Sequence, residues 1–253
     1  MRLFRYLASE HDARSWLDGG VIPLFLAKRY FSEERNGIMT PDERRVINTN
    51  RPYEGSDISR VIAISDSKGI SITGARINGV LVPDFYGDHY LEDGRVLCLS
   101  VHLSGSLAKR MEKTVCVEIV DIASLKACLD QQVGVKSKMG LCKYVKNHNR
   151  NHFMKSAKDS WQAEYRLFWP TVPADDRERI DVILPQRVAC RVELPEGFGD
   201  GPDIPIAEGK IPPGPPLPRC MDEDRRIDSS FRRDNVGDYV AALLRDPFFM
   251  RRA

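Results

Sequence analysis

Apolar and polar positions alternate, or apolar residues run without a break, through most of the first 194 residues, and this pattern predicts a chain rich in strands. The unbroken apolar run RVLCLSVHL over 95–103 predicts a central strand buried on both faces. The other predicted strands cover 2–7, 21–27, 61–66, 69–77, 80–86, 113–121, 141–147, 160–170, 179–185 and 187–194. The pattern indicates an α+β fold with strand-rich mixed or antiparallel sheets and a few flanking helices.

Two helices within this region are predicted from capping residues and apolar stripes at helical spacing. Ser9 caps the first, which Gly19-Gly20 ends, and Asp121 caps the second, which Gly134 ends. Residues 32–60 carry no long apolar period and are predicted to form a long polar surface loop, in which TPDE at 40–43 is the sequence of a short helix start.

A change of composition after residue 194 divides the chain into three parts. Residues 1–194 are expected to form a single α+β domain. Residues 195–220 are rich in Pro and Gly, which predicts an extended arm without a strand ladder or a helix. Residues 221–253 are predicted to form a helical tail, because Asp234 can cap a final helix with an apolar stripe.

Bulk composition excludes some classes of function. The 38 basic and 36 acidic residues leave a formal net charge of +2, so no global basic field points to nucleic acid. Six irregularly spaced cysteines without a CxxC pair are expected to be reduced residues, several of them in the core. No apolar run is long enough to span a bilayer, and the start MRLFRYLASEH has no signal-peptide core, so we expect a cytoplasmic protein.

The segment SWQAEYRLFWP at 160–170 carries the first candidate chemistry. On a strand, Gln162, Glu164, Arg166 and Phe168 would lie on one face, while the opposite face would carry apolar residues throughout. Alternation by itself leaves two interpretations open. The polar face either meets water, as in a one-sided sheet, or lines a functional cleft.

Two other predicted strands place polar side chains among apolar neighbours. Arg5 lies in the middle of RLFRYL, where a guanidinium needs an anionic partner or ligand. Ser100 lies in the predicted buried strand, where its hydroxyl needs a hydrogen-bond partner. Arg5, Ser100 and Glu164 therefore form a candidate constellation from three separate strands.

This constellation resembles the Arg-Ser-Glu class of the ADP-ribosyltransferase superfamily. The matching residues are Arg5 in LFRYL, Ser100 in CLS, and Gln162 and Glu164 in QAE, and the helix and DGGVI after the first strand are also similar. The middle motif departs from the family, since CLSVHLS stands where Ser-Thr-Ser is usual. Residues 1–170 also resemble, in layout, an uncharacterised bacterial family with a W-x-x-E-x-R strand, which brings no known activity.

The resemblance implies an ADP-ribosyltransferase-like fold and NAD as the substrate. It implies that Glu164 and Gln162 are catalytic, with Gln162 orienting an acceptor, and that Arg5 and Ser100 belong to the NAD site. Tyr86 and Tyr90 are candidates, by position, for the aromatic that stacks on nicotinamide. The implied acceptor is a nucleic acid or a protein, and the implied setting is a toxin or a factor in phage–host conflict.

A non-enzymatic module that binds nucleic acid or protein stays open as the alternative. It would use the same cleft, the basic segment 143–158 and the Pro-rich arm. Cys142, His148 and His152 read C-x5-H-x3-H, but no fourth ligand or local Glu accompanies them, so no metal site is predicted. The sequence does not give the oligomeric state.

Overall fold

The computed structural model describes residues 1–32, 44–64, 66–170 and 177–195. Four α-helices lie in these residues: α1 (Glu10–Leu17), α2 (Lys28–Ser32), α3 (Gly105–Arg110) and α4 (Ile122–Val133). The strands there are β1 (Phe4–Leu7), β2 (Val21–Leu26), β3 (Arg45–Thr49), β4 (Ser67–Ile72), β5 (Arg76–Ile77), β6 (Val80–Leu81), β7 (Phe85–Leu91), β8 (Gly94–Ser100), β9 (Val115–Ile119), β10 (Lys138–Leu141), β11 (Lys143–Val145), β12 (Met154–Ser156), β13 (Glu164–Pro170), β14 (Arg179–Ile183) and β15 (Ala189–Val192). Two 3₁₀ helices cover Ile58–Arg60 and Ala157–Gln162.

The main sheet has eight strands and is antiparallel at each of its pairings. Six of them follow the order β10-β13-β8-β1-β9-β15, while β2 also pairs with β8 and β14 pairs with β2. Because β13 pairs with β8 along its whole length, β1 and β2 share the other edge of β8. The strand-rich α+β class predicted from the pattern is therefore confirmed.

The larger core lies on the face of this sheet that α1 and α4 cover. It includes Trp16, Leu97, Leu125, Leu167 and Trp169, all at most 3% exposed. Burying such apolar side chains supplies most of the favourable free energy of folding. The predicted central strand is confirmed, because β8 is buried along nearly its whole length.

Two smaller clusters cover the opposite face and leave a seam between them. One joins α3 to β1, β9 and β15 through Phe4, Tyr6, Leu107, Cys116 and Val192. The other packs Ala27 against Val96 of β8 and Phe168 of β13. The strand registers place Ser100 opposite Phe4 of β1 and opposite Glu164 of β13. Ser100 and Glu164, the two polar residues of this set, therefore lie at the seam.

Both helices predicted from capping residues form as expected. The side chain of Ser9 accepts from the backbone N–H of Asp12, and that of Asp121 accepts from two N–H groups at the start of α4. Gly134 ends α4 with φ +77°, a left-handed conformation that glycine adopts without steric cost. These features depend on local sequence, which is why the pattern was sufficient to find them.

Several predicted boundaries are wrong in the region that precedes β8. Residues 61–64 contain no strand, and the predicted loop 32–60 contains β3 and a 3₁₀ helix. The strand β7 begins at Phe85 and pairs with both β3 and β4 in a separate three-stranded sheet. The short helix start at 40–43, residues 196–220 of the predicted arm and the helical tail lie outside the described ranges. None of the described helices is both long and apolar enough to cross a membrane.

Candidate functional site

A cavity of about 340 Å³ lies where β1 and β2 part along the edge of β8. β1 pairs with Ser100 and β2 with Arg95 and Val96, so the stretch of β8 between them has no strand partner in register on that edge among the described residues. The lining residues come from four segments: Phe4, Arg5, Tyr6, Ala8, Cys98, Leu99, Ser100, Met111, Glu112, Lys113 and Glu164. The structure therefore brings Arg5, Ser100 and Glu164 to one cavity.

Arg5 occupies the gap in the edge of β8. Its Nη1 donates to the backbone carbonyl of Cys98 at 2.6 Å, an oxygen that a neighbouring strand would otherwise cover. Among the described residues, its buried Nε has no hydrogen-bond partner and no carboxylate forms an ion pair with its guanidinium. A buried donor without a partner costs free energy, so this side chain is suited to an anionic or oxygen-rich ligand.

Ser100 lies directly across from Glu164 but its hydroxyl does not contact that carboxylate. The Oγ is 3.2 Å from the carbonyl oxygen of His102 and 3.3 Å from that of Gln162, and it accepts from the N–H of His102 at 3.1 Å. Ser100 therefore joins the end of β8 to the backbone just before Glu164. Its influence on Glu164 passes through that backbone.

The Glu164 side chain is 8% exposed and is held through one of its two carboxylate oxygens. Oε2 accepts from Arg166 Nε at 2.8 Å and lies 3.3 Å from Lys155 Nζ, and the Cys142 thiol donates to it at 3.7 Å. No side chain of the described residues donates to Oε1. All the side-chain contacts of this carboxylate within the described residues therefore involve Oε2.

Gln162 does not lie beside Glu164 on one strand face, and that prediction is wrong. The strand begins at Glu164, while Gln162 ends a 3₁₀ helix and Ala163 between them has φ +45° and ψ 51°. Gln162 is 1% exposed, is absent from the cavity lining, and accepts at Oε1 from Lys155 Nζ. Lys155 therefore contacts both Gln162 and the Glu164 carboxylate.

The polar face of β13 does not meet water, so the wet-face interpretation is wrong as well. Glu164 and Arg166 on this face, and Gln162 just before the strand, are all less than 9% exposed. The cations of Lys155 and Arg166 both lie against the Glu164 carboxylate, and Arg166 also donates to the carbonyl of His152 at 3.0 Å. Such a cluster is tolerated in a protein interior because each charge has close partners.

Two titratable side chains, Tyr144 and Cys142, contact Glu164. The Tyr144 hydroxyl accepts from the backbone N–H of Glu164 at 2.8 Å. Burial, and then the negative charge of Glu164, raise the pKa of Tyr144 above its ordinary value. Burial also raises the pKa of the Cys142 thiol, so neither group is an ionised nucleophile at neutral pH.

Tyr86 and Tyr90 lie on β7, outside the cavity lining. Tyr86 is 56% exposed, and the Lys68 ammonium lies 4.2 Å from the centroid of the Tyr90 ring. The aromatic residues that the structure places at the cavity are Phe4 and Tyr6. Sequence reasoning missed both, although they flank Arg5 and the alternation of β1 already put them on one face.

The residues of the C-x5-H-x3-H stretch lie in three different environments. Cys142 contacts Glu164, the His148 ring contacts Thr49, and the His152 ring stacks on Phe168 with centroids 3.6 Å apart. Within the described ranges, no group of three or more His, Cys, Asp or Glu side chains is arranged to hold a metal ion.

The basic segment 143–158 is less available to phosphates than its composition indicates. Lys155 is 3% exposed inside the Glu164 cluster. Arg150 donates from Nη1 to the carbonyl oxygens of Asn147 and Asn149, both at 2.7 Å. The side chains of Lys155 and Arg150 are therefore engaged in contacts within the protein.

Comparison with protein-family models, with curated proteins and with solved structures finds no match to this chain.

Proposed function

We propose that this chain is an NAD-dependent enzyme of the ADP-ribosyltransferase type, with its active site in the cavity between β1, β8 and β13. One observation carries the proposal: Arg5, Ser100 and Glu164 come from three separate strands and line the same cavity. The chain order of these residue types resembles the Arg-Ser-Glu class of that superfamily. Under this proposal the fold is ADP-ribosyltransferase-like, with the split along β8 as the substrate cleft.

The size and polarity of the cavity support a nucleotide substrate. Its volume of about 340 Å³ is in the lower part of the range of ligand pockets, about 300–1,000 Å³. Arg5 supplies a cation and a buried Nε that needs an oxygen acceptor. Phe4 and Tyr6, which are 3% and 5% exposed, form an apolar aromatic wall beside it. These groups fit a molecule that combines phosphate oxygens, hydroxyl groups and an aromatic base.

The proposed chemistry uses Oε1 of Glu164. Cleavage of the bond between nicotinamide and ribose develops positive charge on the ribose, as in glycoside hydrolysis. A carboxylate oxygen at the ribose accepts from its hydroxyl and stabilises that charge. Arg166 and Lys155 hold the other oxygen, which orients the carboxylate but also offsets part of its charge. We therefore assign Glu164 chiefly to orienting the ribose.

The proposed acceptor of the ADP-ribose group is a nucleic acid or a protein. Gln162 receives a positioning role instead of the acceptor role that the resemblance implies, because it is 1% exposed and contacts Lys155. Its carbonyl oxygen fixes the ammonium that in turn contacts Glu164.

The proposal is tested by release of nicotinamide from NAD, with Glu164→Gln as the variant and Glu118→Gln as the matched control. Glu118 is a carboxylate of the same sheet that pairs with Arg2 and does not line the cavity. We expect wild type and Glu118→Gln to release nicotinamide and Glu164→Gln to lose on the order of a hundredfold in rate.

Glu164→Gln leaves Lys155 and Arg166 beside a neutral amide, so its folding is checked by circular dichroism at the assay temperature. A folded Glu164→Gln variant that releases nicotinamide at the wild-type rate contradicts the proposal. So does a wild-type chain without any NAD turnover across added nucleic acid and protein acceptors.

A further inference from the structure

One edge strand of the main sheet, β10, differs from the other edges. Among the described residues, β10, β14 and β15 each pair with a single neighbouring strand. No apolar side chain of β14 or β15 is exposed, and the arginines of these strands, Arg179 and Arg191, are in ion pairs. On β10, by contrast, Met139 and Leu141 are 44% and 38% exposed.

The backbone of β10 presents hydrogen-bonding groups along its outer edge. The N–H of Cys142, which directly follows β10, donates to the carbonyl of Glu164 in β13 at 2.9 Å. Bonding alternates along an antiparallel ladder, so the N–H and C=O groups of residues 138 and 140 also point toward β13. Those of Met139 and Leu141 therefore point away from the sheet.

The next residue on the outer side shows what an occupied edge looks like. The N–H of Lys143 points the same way as those of Met139 and Leu141, and it donates to the carbonyl of Phe153 at 2.8 Å. Within the described ranges, no backbone partner of this kind covers Met139 or Leu141. The edge is therefore open over β10 and closed immediately after it.

The side chains of Met139 and Leu141 extend the larger apolar core to the rim of the sheet. Met139 is paired with Leu167 of β13, and the next outward residue is paired with Tyr165. Paired residues of neighbouring strands lie on the same face, and both partners belong to the larger core. A strand added beside β10 would cover these exposed side chains with its own alternate residues.

The surroundings of the open edge are basic. Residues 131–158 contain no Asp or Glu, and Lys136, Lys138 and Lys143 are exposed. None of these three ammonium groups is in an ion pair with a carboxylate of the described residues. Pairing of β10 with the β10 of a second copy would bring like charges together, which is unfavourable. The same lysines favour a strand that carries carboxylates.

We propose that the open edge of β10 binds an extended acidic peptide segment of a partner protein as an added strand. The backbone of that segment bonds to Met139 and Leu141, its apolar side chains pack on these two at alternate positions, and its carboxylates lie against Lys136 and Lys138. Main-chain bonds supply affinity in this mode of recognition, and alternate side chains supply specificity. The inference is independent of the proposed NAD chemistry, because β10 contributes no residue to the cavity lining.

Titration of the full chain into a labelled synthetic peptide of alternating Glu and Val residues, followed by fluorescence anisotropy, tests the proposal. We expect saturable binding to the wild type. Leu141→Pro removes the outward N–H while leaving the bonds from β10 to β13 in place, because proline is tolerated where an edge N–H faces away from the sheet. This variant should bind the peptide more weakly by on the order of tenfold.

Charge reversal provides a second test that leaves the backbone unchanged. Lys136→Glu combined with Lys138→Glu should weaken binding of the Glu–Val peptide by on the order of tenfold and should strengthen binding of a Lys–Val peptide. Lys109→Glu is the matched control, since Lys109 is an exposed lysine on α3, which packs against β1 and β15 at the other side of the sheet. It should bind both peptides as the wild type does.

Amide exchange distinguishes strand addition from attraction between charges. Saturating Glu–Val peptide should slow exchange of the amides of Met139 and Leu141, because their outward N–H groups become bonded. Circular dichroism of each variant confirms folding before its affinity is compared with that of the wild type.

Four results would overturn the proposal. The first is no saturable binding of the Glu–Val peptide to the folded wild type, and the second is equal affinity in a folded Leu141→Pro variant. The third is a single-stranded oligonucleotide that binds through the same lysines and displaces the peptide without any change in amide exchange at β10, which would assign the surface to nucleic acid. The fourth is a wild-type dimer that Leu141→Pro dissociates, which would place a second copy at this edge.

Discussion

Arg166 donates from Nε to Oε2 of Glu164 at 2.8 Å, and its Nη2 lies 2.8 Å from the same oxygen. The usual fork of an arginine grips two carboxylate oxygens, so this geometry is unusual in leaving Oε1 out of the pair. The Glu164 carboxylate is thus held through one oxygen although the residue also lines the cavity and its side chain is 8% exposed. This geometry also makes Arg166 the principal support of the site.

Replacing Arg166 should destabilise the fold strongly. Arg166→Met removes one cation of a buried pair and leaves the Glu164 carboxylate with the more distant Lys155, so we expect a loss of about 3–5 kcal/mol in the free energy of unfolding. Urea denaturation measures it. Arg179→Gln is the control, because Arg179 pairs with Asp181 on the surface and its loss should cost under about 1 kcal/mol. Equal effects of the two substitutions would show that the buried cluster is not what stabilises this part of the sheet.

Two glycines in strands on either side of β13 should respond differently to a methyl group. A Cβ on Gly94 would lie 2.3 Å from the Phe168 ring and 2.6 Å from the carbonyl oxygen of Trp169. A Cβ on Gly140 would find its nearest neighbour, the Phe153 ring, at 3.9 Å. We expect Gly94→Ala to lower the unfolding free energy by about 1–3 kcal/mol and Gly140→Ala to change it little. Thermal unfolding of the two variants in parallel measures the difference. A larger loss of stability in Gly140→Ala than in Gly94→Ala would contradict this packing.

Asp130 should make stability dependent on pH at the acid end. Burial by itself would raise the pKa of this carboxyl, but hydrogen bonds from Lys126, Ser137 and Trp169 outweigh it and lower the pKa from its ordinary 3.8. Because the folded-state pKa is lowered, the stabilisation is complete above the unfolded value and is lost as pH falls toward the folded value.

Asp130→Asn should therefore cost about 1.5–3 kcal/mol at neutral pH, since it weakens hydrogen bonds to a charged group. The difference from wild type should shrink as pH falls below about 4. Urea denaturation of both proteins from about pH 6 to about pH 3 measures it. A difference that stays constant over that range would mean that the charge of Asp130 does not contribute.

Much of the main sheet was accessible from the sequence because its signals are local. The apolar run of β8, the caps at Ser9 and Asp121, and the left-handed Gly134 each depend on a few neighbouring residues. The three residues Arg5, Ser100 and Glu164 were also accessible, since polar side chains inside predicted buried strands require partners. The order of the strands in the sheet could not be predicted from the sequence, because pairings such as β1 with β9 join residues more than a hundred positions apart.

The remaining errors have different physical origins, and the first is that alternation on a strand does not tell what covers a face. Gln162, Glu164 and Arg166 looked like a wet or open face, whereas β12 and the 3₁₀ helix bring Lys155 against them. The left-handed Ala163 gives no sign in the sequence, because alanine rarely adopts that conformation. Tyr86 and Tyr90 were chosen by position along the chain, and a separate sheet carries them away from the cavity.

The central claim is that the cavity between β1, β8 and β13 binds NAD through Arg5, and calorimetric titration of NAD tests it most directly. We expect saturable binding to the wild type and a loss on the order of tenfold or more in affinity for Arg5→Gln, because the cation and the buried Nε donor are removed together. Arg2→Gln is the control, because Arg2 pairs with Glu118 and neither residue lines the cavity. This variant should bind NAD with the affinity of the wild type. Absence of NAD binding by the folded wild-type chain, or equal affinity in Arg5→Gln, would contradict the account.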